Sequence, residues 1–216
     1  MVEMIDRQVG ALLTLLTELE LERSTVVFFC SDHGAAERMD GSLDSSGPLR
    51  GRKRAMYEGG LRTPLLARWP GVIPAGQTVS FPGYFPDILP TALEIIDRAD
   101  LIPEDIDGIS FSSLLTENQE PERAQPLYWE WPKYNWNTAR YDGLMQAIRH
   151  GSMKALRHAP TEPWELYNLD TDPGERNNLA SREAAQLEAL VDLAAIMRTD
   201  PRPQIEPPKP KGRRYR

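Results

Sequence analysis

The chain has 216 residues, of which 40% are hydrophobic and 26% are charged, a composition ordinary for a globular protein with one sizeable core. Its formal net charge of −7 argues against a nucleic-acid-binding protein, because such domains usually present a basic surface. No apolar run approaches the roughly 18 residues of a membrane helix, and no signal peptide is recognisable near Met1. We therefore expect neither nucleic acid nor a membrane among its partners.

The first third of the chain has the pattern of an α/β protein. Apolar residues recur with a helical period between residues 2 and 21, which predicts an amphipathic helix with one buried stripe. The run VVFFC at residues 26–30 is apolar throughout, which favours a strand buried on both faces of a parallel sheet. Cys30 ends this run, and we expect it to be a small buried residue rather than a reactive thiol.

The residues after this strand lie where open α/β sheets bind ligands, outside the carboxyl ends of the strands. Residues 35–57 are polar and glycine-rich, and loops of that length in compact domains are usually functional or disordered. A strand within residues 63–71 and a helix within residues 85–99 follow. Two such strands cannot complete a doubly wound sheet, so we expect either the C-terminal part of a larger α/β protein or a sheet shared with another polypeptide.

The second part of the chain predicts a small antiparallel sheet, because short aromatic and apolar runs alternate with turn residues from residue 123 onward. A helix from about residue 181 to residue 197 follows. An aromatic cluster at residues 129–136 either stacks on a sugar ring or covers the sheet, and both interpretations stay open. Residues 200–216 hold five prolines and six basic residues against two acids, which predicts a flexible basic tail.

Several short motifs follow one another along the chain. They are SDHG (31–34), LRGRK (49–53), YEGGLRTP (57–64), RWPG (68–71), DILPTAL (87–93), DGISF (107–111) and ELYNLDTDPGERNNLA (165–180). Together they resemble the motifs of the sulfatase family in the alkaline phosphatase superfamily, as in arylsulfatases and N-acetylhexosamine-sulfate sulfatases. The resemblance implies the C-terminal portion of such an α/β enzyme, with part of the core at residues 1–122 and a small antiparallel sheet with a packed helix at residues 123–199.

The resemblance implies that Asp32 and His33 are ligands of a divalent metal, most often calcium. A carboxylate oxygen suits a hard cation, whereas the nitrogen of His33 is softer and leaves manganese or magnesium open. The family more often carries asparagine at the position of His33. Hard cations take six or more donors, so two adjacent residues cannot bind one tightly, and the other ligands are expected in an N-terminal half encoded upstream.

The resemblance also implies that Lys53 is the catalytic lysine that binds the sulfate group. Its compact ammonium suits a tetrahedral oxyanion, whereas Arg52 and Arg54 are expected to be solvated loop residues. Between residues 50 and 68, six basic residues stand against one acid, which favours an anionic substrate. If one sulfate bridges metal and lysine, the Lys53 ammonium lies within about 10 Å of the Asp32 carboxylate.

Ser46 begins the pattern S-x-P-x-R, in which some sulfatases carry the Cys or Ser that is oxidised to formylglycine. Here the pattern runs directly into the lysine motif at residues 49–53, so we interpret Ser46 as a loop serine. The resemblance places the formylglycine in the N-terminal half, and we expect this chain by itself to be inactive. Further along, we expect Gly59 and Gly60 to form a tight turn and Glu58 to pair with Arg62.

Two other functions stay open. Metal and lysine serve phosphate as well as sulfate, so a phosphoryl or phosphonate hydrolase of the same superfamily is one alternative. A non-catalytic remnant that binds metal or a sulfated ligand is the other. The resemblance implies a sulfated small molecule or sulfated sugar as substrate and a periplasmic or secreted location.

Overall fold

A computed structural model describes residues 2–36, 44–135 and 140–199, without the side chains of residues 133–142. The chain divides into two compact units, which are Met1–Ser31 with Pro64–Ala124 and Asp32–Thr63 with Gln125–Arg216. The predicted domain boundaries at residues 122 and 199 stay predictions. The expected tail at residues 200–216 lies outside the described residues, as do the side chains of Tyr134 and Trp136 in the aromatic cluster.

The described residues form helices and strands of both types, which confirms the α/β class. The helices are α1 (Val2–Glu18), α2 (Glu58–Leu61), α3 (Ile88–Ile95), α4 (Ser112–Glu117) and α5 (Ala184–Met197). The strands are β1 (Val27–Cys30), β2 (Leu65–Arg68), β3 (Leu127–Asn135), β4 (Arg140–His150), β5 (Met153–Arg157) and β6 (Glu165–Asn168). No helix among the described residues is long and apolar enough to cross a membrane.

In the first unit, β1 and β2 form an antiparallel ribbon with Val27 opposite Arg68 and Cys30 opposite Leu65. The prediction of a parallel strand buried on both faces is therefore wrong for the described residues. Phe29 is 40% exposed and Cys30 is exposed as well, so Cys30 is not a buried residue. A two-stranded ribbon has too few neighbours to bury its faces, however apolar the strand is.

Helix α1 forms as predicted, but its apolar stripe is not buried. None of its residues is buried, and Val2, Met4 and Leu12 are each more than half exposed. The helical period predicts which face is apolar, and it does not say what packs against that face. Within the described residues the main contact of α1 is the 3-10 turn Glu22–Ser24.

Asp87 organises the rest of the first unit. Its fully buried carboxylate accepts hydrogen bonds from the backbone N–H groups of Tyr84 (2.7 Å) and Ile109 (2.9 Å), and it forms an ion pair with Arg123. The Thr91 hydroxyl, one turn into α3, donates to the Asp87 carbonyl at 2.7 Å. The motif at residues 87–93 thus ties the start of α3 to the loop that carries the DGISF motif.

In the second unit, β3, β4, β5 and β6 form an antiparallel sheet in chain order, as predicted. Helix α5 packs on one face, where the core contains Ile148, Ala155, Leu166, Leu190 and Ala194. The alternate strand residues point to the other face, where the core contains Met56, Tyr57, Ala147, Leu156 and Tyr167. The sheet therefore lies between α5 and the segment at residues 56–57, which leads directly into α2.

The aromatic cluster is divided between core and surface where it is described. Trp129 is half-buried and packs on the face that carries Tyr57, whereas Trp131 is 48% exposed. Covering the sheet thus accounts for Trp129. Stacking of Trp131 on a sugar stays a prediction.

Candidate active site

The structure brings the side chains of Asp32, His33 and Lys53 together within the second unit. The Lys53 ammonium lies 2.6 Å from His33 Nε2. His33 Nε2 in turn lies 3.3 Å from an oxygen of the Asp32 carboxylate. Because both contacts share His33 Nε2, the ammonium lies well inside the limit of about 10 Å that a bridging sulfate allows.

The hydrogen bonds of His33 determine which of its nitrogens is available as a ligand. Its Nδ1 lies 2.8 Å from the carbonyl oxygen of Gly34, and a carbonyl only accepts hydrogen bonds. We therefore assign the hydrogen to Nδ1, which leaves the lone pair of Nε2 to accept from the Lys53 ammonium. The same lone pair suits a metal ion, and the backbone bond at Nδ1 would orient the ring for it.

The donors at this place fit part of a metal site. The Asp32 side chain is 84% exposed and that of His33 is 34% exposed, so both are reached from solvent, and an ion at His33 Nε2 would displace the Lys53 ammonium from it. Within the described ranges, no group of three or more His, Cys, Asp or Glu side chains is placed to hold a metal. A hard cation on these two ligands would need further donors from elsewhere.

Close backbone packing through glycines positions the metal-ligand segment. The N–H of Gly34 donates to the carbonyl of Gly60 at 3.1 Å, and a Cβ on Gly34 would lie 2.0 Å from the Gly59 oxygen. The N–H of Gly59 in turn donates to the carbonyl of Arg50 at 2.7 Å, and a Cβ on Gly59 would lie 2.3 Å from the Gly51 oxygen. The segment at His33, the turn at Gly59 and the loop at Arg50 are therefore stacked backbone on backbone.

The same packing fixes the main chain of Lys53. Its N–H donates to the carbonyl of Ala35 at 2.8 Å, two residues after His33. Arg52 and Arg54 on either side are exposed, whereas Lys53 is half-buried with its ammonium directed at His33. The lysine thus differs from its basic neighbours in position as well as in type.

Glu58 has a different partner from the predicted one. Its carboxylate contacts the ammonium of Lys154 at 2.8 Å, and that ammonium lies 2.9 Å from Glu175. The N–H of Glu58 also donates to Glu175 at 2.6 Å, whereas Arg62 contributes only a backbone bond to the Glu58 carbonyl. The expected Glu58–Arg62 pair is therefore wrong. A lysine within the apolar run MKAL of β5 is the sequence signal that points to the true partner.

Burial raises the pKa of Glu175, and the nearby Lys154 ammonium partly opposes this effect. Folded Glu175 therefore keeps its proton to higher pH than unfolded Glu175, whose ordinary pKa is 4.5. The stabilising contribution is complete below about pH 4.5 and is lost as pH rises through the folded pKa. We expect the unfolding free energy of the native chain, measured relative to Glu175→Gln, to fall as pH rises.

Urea unfolding from about pH 4.5 to about pH 8 measures this difference. The exposed Glu162, changed to Gln, serves as the matched control and is expected to show no such trend. A constant difference between the native chain and Glu175→Gln across this range would contradict the prediction.

Comparison with known proteins agrees with this fold. The family model of N-sulphoglucosamine sulphohydrolase, C-terminal, matches residues 51–197, and the Sulfatase model matches residues 1–97. The protein is thus a sulfatase-type chain of mixed helices and antiparallel sheets. It belongs to the sulfatase family of the alkaline phosphatase superfamily, which confirms the resemblance found in its motifs.

The curated relatives that match this chain include several proteins named as sulfatases. The N-acetylgalactosamine-6-sulfatase of Canis lupus familiaris is 34% identical over 174 residues, which cover 79% of this chain and 31% of that protein. The crystal structure of Ps i-CgsB with k-i-k-neocarrahexaose has a TM-score of 0.72 and 29% identity, covering 89% of this chain and 40% of that one. BT4656 in complex with its substrate D-glucosamine-2-N,6-O-disulfate has a TM-score of 0.70 and 27% identity, covering 90% and 38%.

The chain spans only part of these proteins. It covers between 31% and 41% of the length of the curated N-acetylgalactosamine-6-sulfatases that it matches. A phosphonate monoester hydrolase of Agrobacterium radiobacter is also similar, with a TM-score of 0.66 and 25% identity over 91% of this chain and 40% of that one. Membership of the family is therefore shown.

Proposed function

We propose that this chain is the part of a sulfuric ester hydrolase that supplies the sulfate-binding lysine and two ligands of the metal. The observation that carries the proposal is the contact of the Lys53 ammonium with His33 Nε2, beside the exposed carboxylate of Asp32. A cation site and an ammonium at this spacing suit a tetrahedral anionic group held between two positive charges.

Asp32 and His33 would hold the metal through a carboxylate oxygen and through Nε2. When bound, a divalent cation stabilises negative charge on the sulfuryl oxygens. Calcium is the proposed ion, and the imidazole donor leaves manganese or magnesium open. Sulfatases generally use a metal together with formylglycine, and we propose that the formylglycine and the remaining ligands come from an N-terminal half.

Lys53 would contribute a point charge to the sulfate and to the oxygen of the leaving group. Its ammonium now donates to the lone pair of His33, and a sulfate oxygen would take over as acceptor when His33 binds the metal. The stacked backbone of Gly34 and Gly59 holds both residues in place, so little rearrangement is needed at that point.

The proposed substrate is a sulfated sugar or another sulfated small molecule. Support comes from BT4656, whose substrate is D-glucosamine-2-N,6-O-disulfate. The choice of sulfate ester would depend on residues other than Asp32, His33 and Lys53. We also propose that the protein is periplasmic or secreted.

A phosphonate or phosphoryl hydrolase is the second candidate, and the similarity to the Agrobacterium radiobacter phosphonate monoester hydrolase favours it over a remnant without catalysis. Metal and lysine would play the same parts there, because phosphonate esters also carry oxyanions. The two functions differ in the preferred substrate, and an assay that offers both esters distinguishes them.

We expect the purified chain by itself not to hydrolyse an aryl sulfate, because it carries no Cys or Ser that we assign as nucleophile. Addition of the N-terminal half of a related sulfatase, matured to contain formylglycine, is expected to produce hydrolysis that Lys53→Ala abolishes. Release of the phenol from an aryl sulfate and from an aryl phosphonate measures both activities. Lys53-dependent turnover by the isolated chain would contradict the first expectation, and turnover of the phosphonate ester in preference would favour the second candidate.

A further inference from the structure

A cluster of three buried charged residues lies behind the candidate site and takes no part in the proposed chemistry. Lys154 and Glu175 are fully buried, and Glu58 is 4% exposed. The Lys154 ammonium contacts both carboxylates, at 2.8 and 2.9 Å. Burying three charges is costly unless each is paired and hydrogen-bonded, so the arrangement calls for a role beyond filling space.

Glu58 connects this buried triad to the site. It is the first residue of the single turn α2, and Gly59 and Gly60 follow directly. Gly59 donates to the carbonyl of Arg50, and Gly60 accepts from the N–H of Gly34. A shift of Glu58 would therefore move the His33 segment and the lysine loop together.

Glu175 makes a second connection to the lysine loop. Its own carbonyl accepts a hydrogen bond from Arg50 Nη1 at 2.9 Å, and the same nitrogen donates to the Tyr167 hydroxyl at 3.0 Å. The Arg50 guanidinium also lies over the Tyr57 ring, 3.9 Å from its centre. The turn that contains Glu175 thus holds both ends of residues 50–58.

The backbone of Glu175 supports a positioning role. Its φ of +50° lies in the left-handed region, which is strained for a residue with a side chain. Such strain persists where the surroundings fix the residue on several sides. Here the Glu58 N–H and the Lys154 ammonium contact the carboxylate, and Arg50 contacts the carbonyl.

We propose that Lys154, Glu58 and Glu175 are positioning residues. Their contacts fix where the Gly59–Gly60 turn lies against the segments of Arg50 and Gly34, and thereby the spacing between His33 and Lys53. The proposal rests on the proposed function in one respect, since only a site that binds sulfate gives that spacing a catalytic meaning. The contacts themselves do not depend on the function.

The test is amide hydrogen exchange of the full chain followed by NMR, comparing the native chain with Lys154→Met. The reporting amides are those of Gly34, Lys53 and Gly59, which bridge the stacked segments. We expect these three to exchange on the order of tenfold faster in Lys154→Met, relative to the change in the amides of α5. Arg149→Met is the matched control, because Arg149 lies opposite Lys154 on β4 and bonds only to the Gly151 carbonyl in the contacts described.

Equal acceleration of exchange at the three amides and in α5 would show a loss of overall stability and would overturn the proposal. Unchanged exchange at the three amides would overturn it as well. If Lys154→Met does not fold, Glu175→Gln replaces it, because this change keeps the shape of the triad. The same ratio is then measured, which is the acceleration of exchange at the three amides relative to that of the α5 amides. A separate experiment titrates the chain with inorganic sulfate and measures binding by the chemical shift changes of Lys53. Absence of sulfate binding in the native chain would count against the proposed function, while the exchange ratio would still decide on positioning.

Discussion

Replacing Lys53 with alanine is expected to lower the kcat/KM of an active assembly containing this chain by about 10²–10³-fold, the effect of removing one preorganised oxyanion donor. The reason is that the Lys53 ammonium lies at His33 Nε2, beside the proposed metal position, where it would donate to an oxygen of a sulfate bound to that metal. Hydrolysis of an aryl sulfate at subsaturating substrate measures the change.

Arg52→Ala is the matched control, because it removes one positive charge from the adjacent position of the same loop. Arg52 is exposed, so its charge is screened by water and ions, and we expect kcat/KM to change little. Equal losses in the two variants would show that the loop attracts the substrate as a diffuse basic surface. Lys53 would then have no specific role in the reaction.

The second unit shows how far the sequence determines the structure. Short aromatic and apolar runs separated by turn residues predicted an antiparallel sheet. In that sheet β4 and β5 each place successive residues on opposite faces, as with Ala155 and Leu156. That prediction succeeded because both faces of the sheet are covered, by α5 and by the segment of Tyr57. Local pattern and tertiary packing agree in this unit.

The first unit shows why the same reasoning failed there. The run at residues 26–30 is as apolar as a buried strand, yet β1 pairs with β2 alone among the described residues and leaves Phe29 exposed. Apolar side chains favour burial, but they are buried only where another segment packs against them. The exposed stripe of α1 has the same cause.

Partners far apart in the sequence were the hardest to predict. Glu58 and Lys154 are separated by 96 residues, and an arginine four residues from Glu58 was the simpler choice. Gly59 and Gly60 were expected to provide a tight turn, but neither has a positive φ. They are needed because neighbouring backbone oxygens leave no room for a Cβ, a requirement that depends on segments brought together by folding.

Changing Asp32 to alanine is expected to remove both the metal and the activity of an assembly that contains this chain. Asp32 supplies the carboxylate of the pair, and hard cations depend on charged oxygen donors for affinity. His33→Asn is expected to keep much of both, because an amide oxygen is also a hard donor. Calcium titration by calorimetry and aryl sulfate hydrolysis measure the two properties, with the exposed Asp170→Ala as the control.

The comparison of the two variants also identifies the ion. Equal loss of calcium in Asp32→Ala and His33→Asn would show that the imidazole nitrogen is indispensable, which points to a softer cation such as manganese. Full retention of metal and activity in Asp32→Ala would remove Asp32 from the site. In the chain by itself we expect weak calcium binding, because Asp32 and His33 leave the other coordination positions to water. Tight binding there would mean that residues of this chain beyond those two complete the metal site.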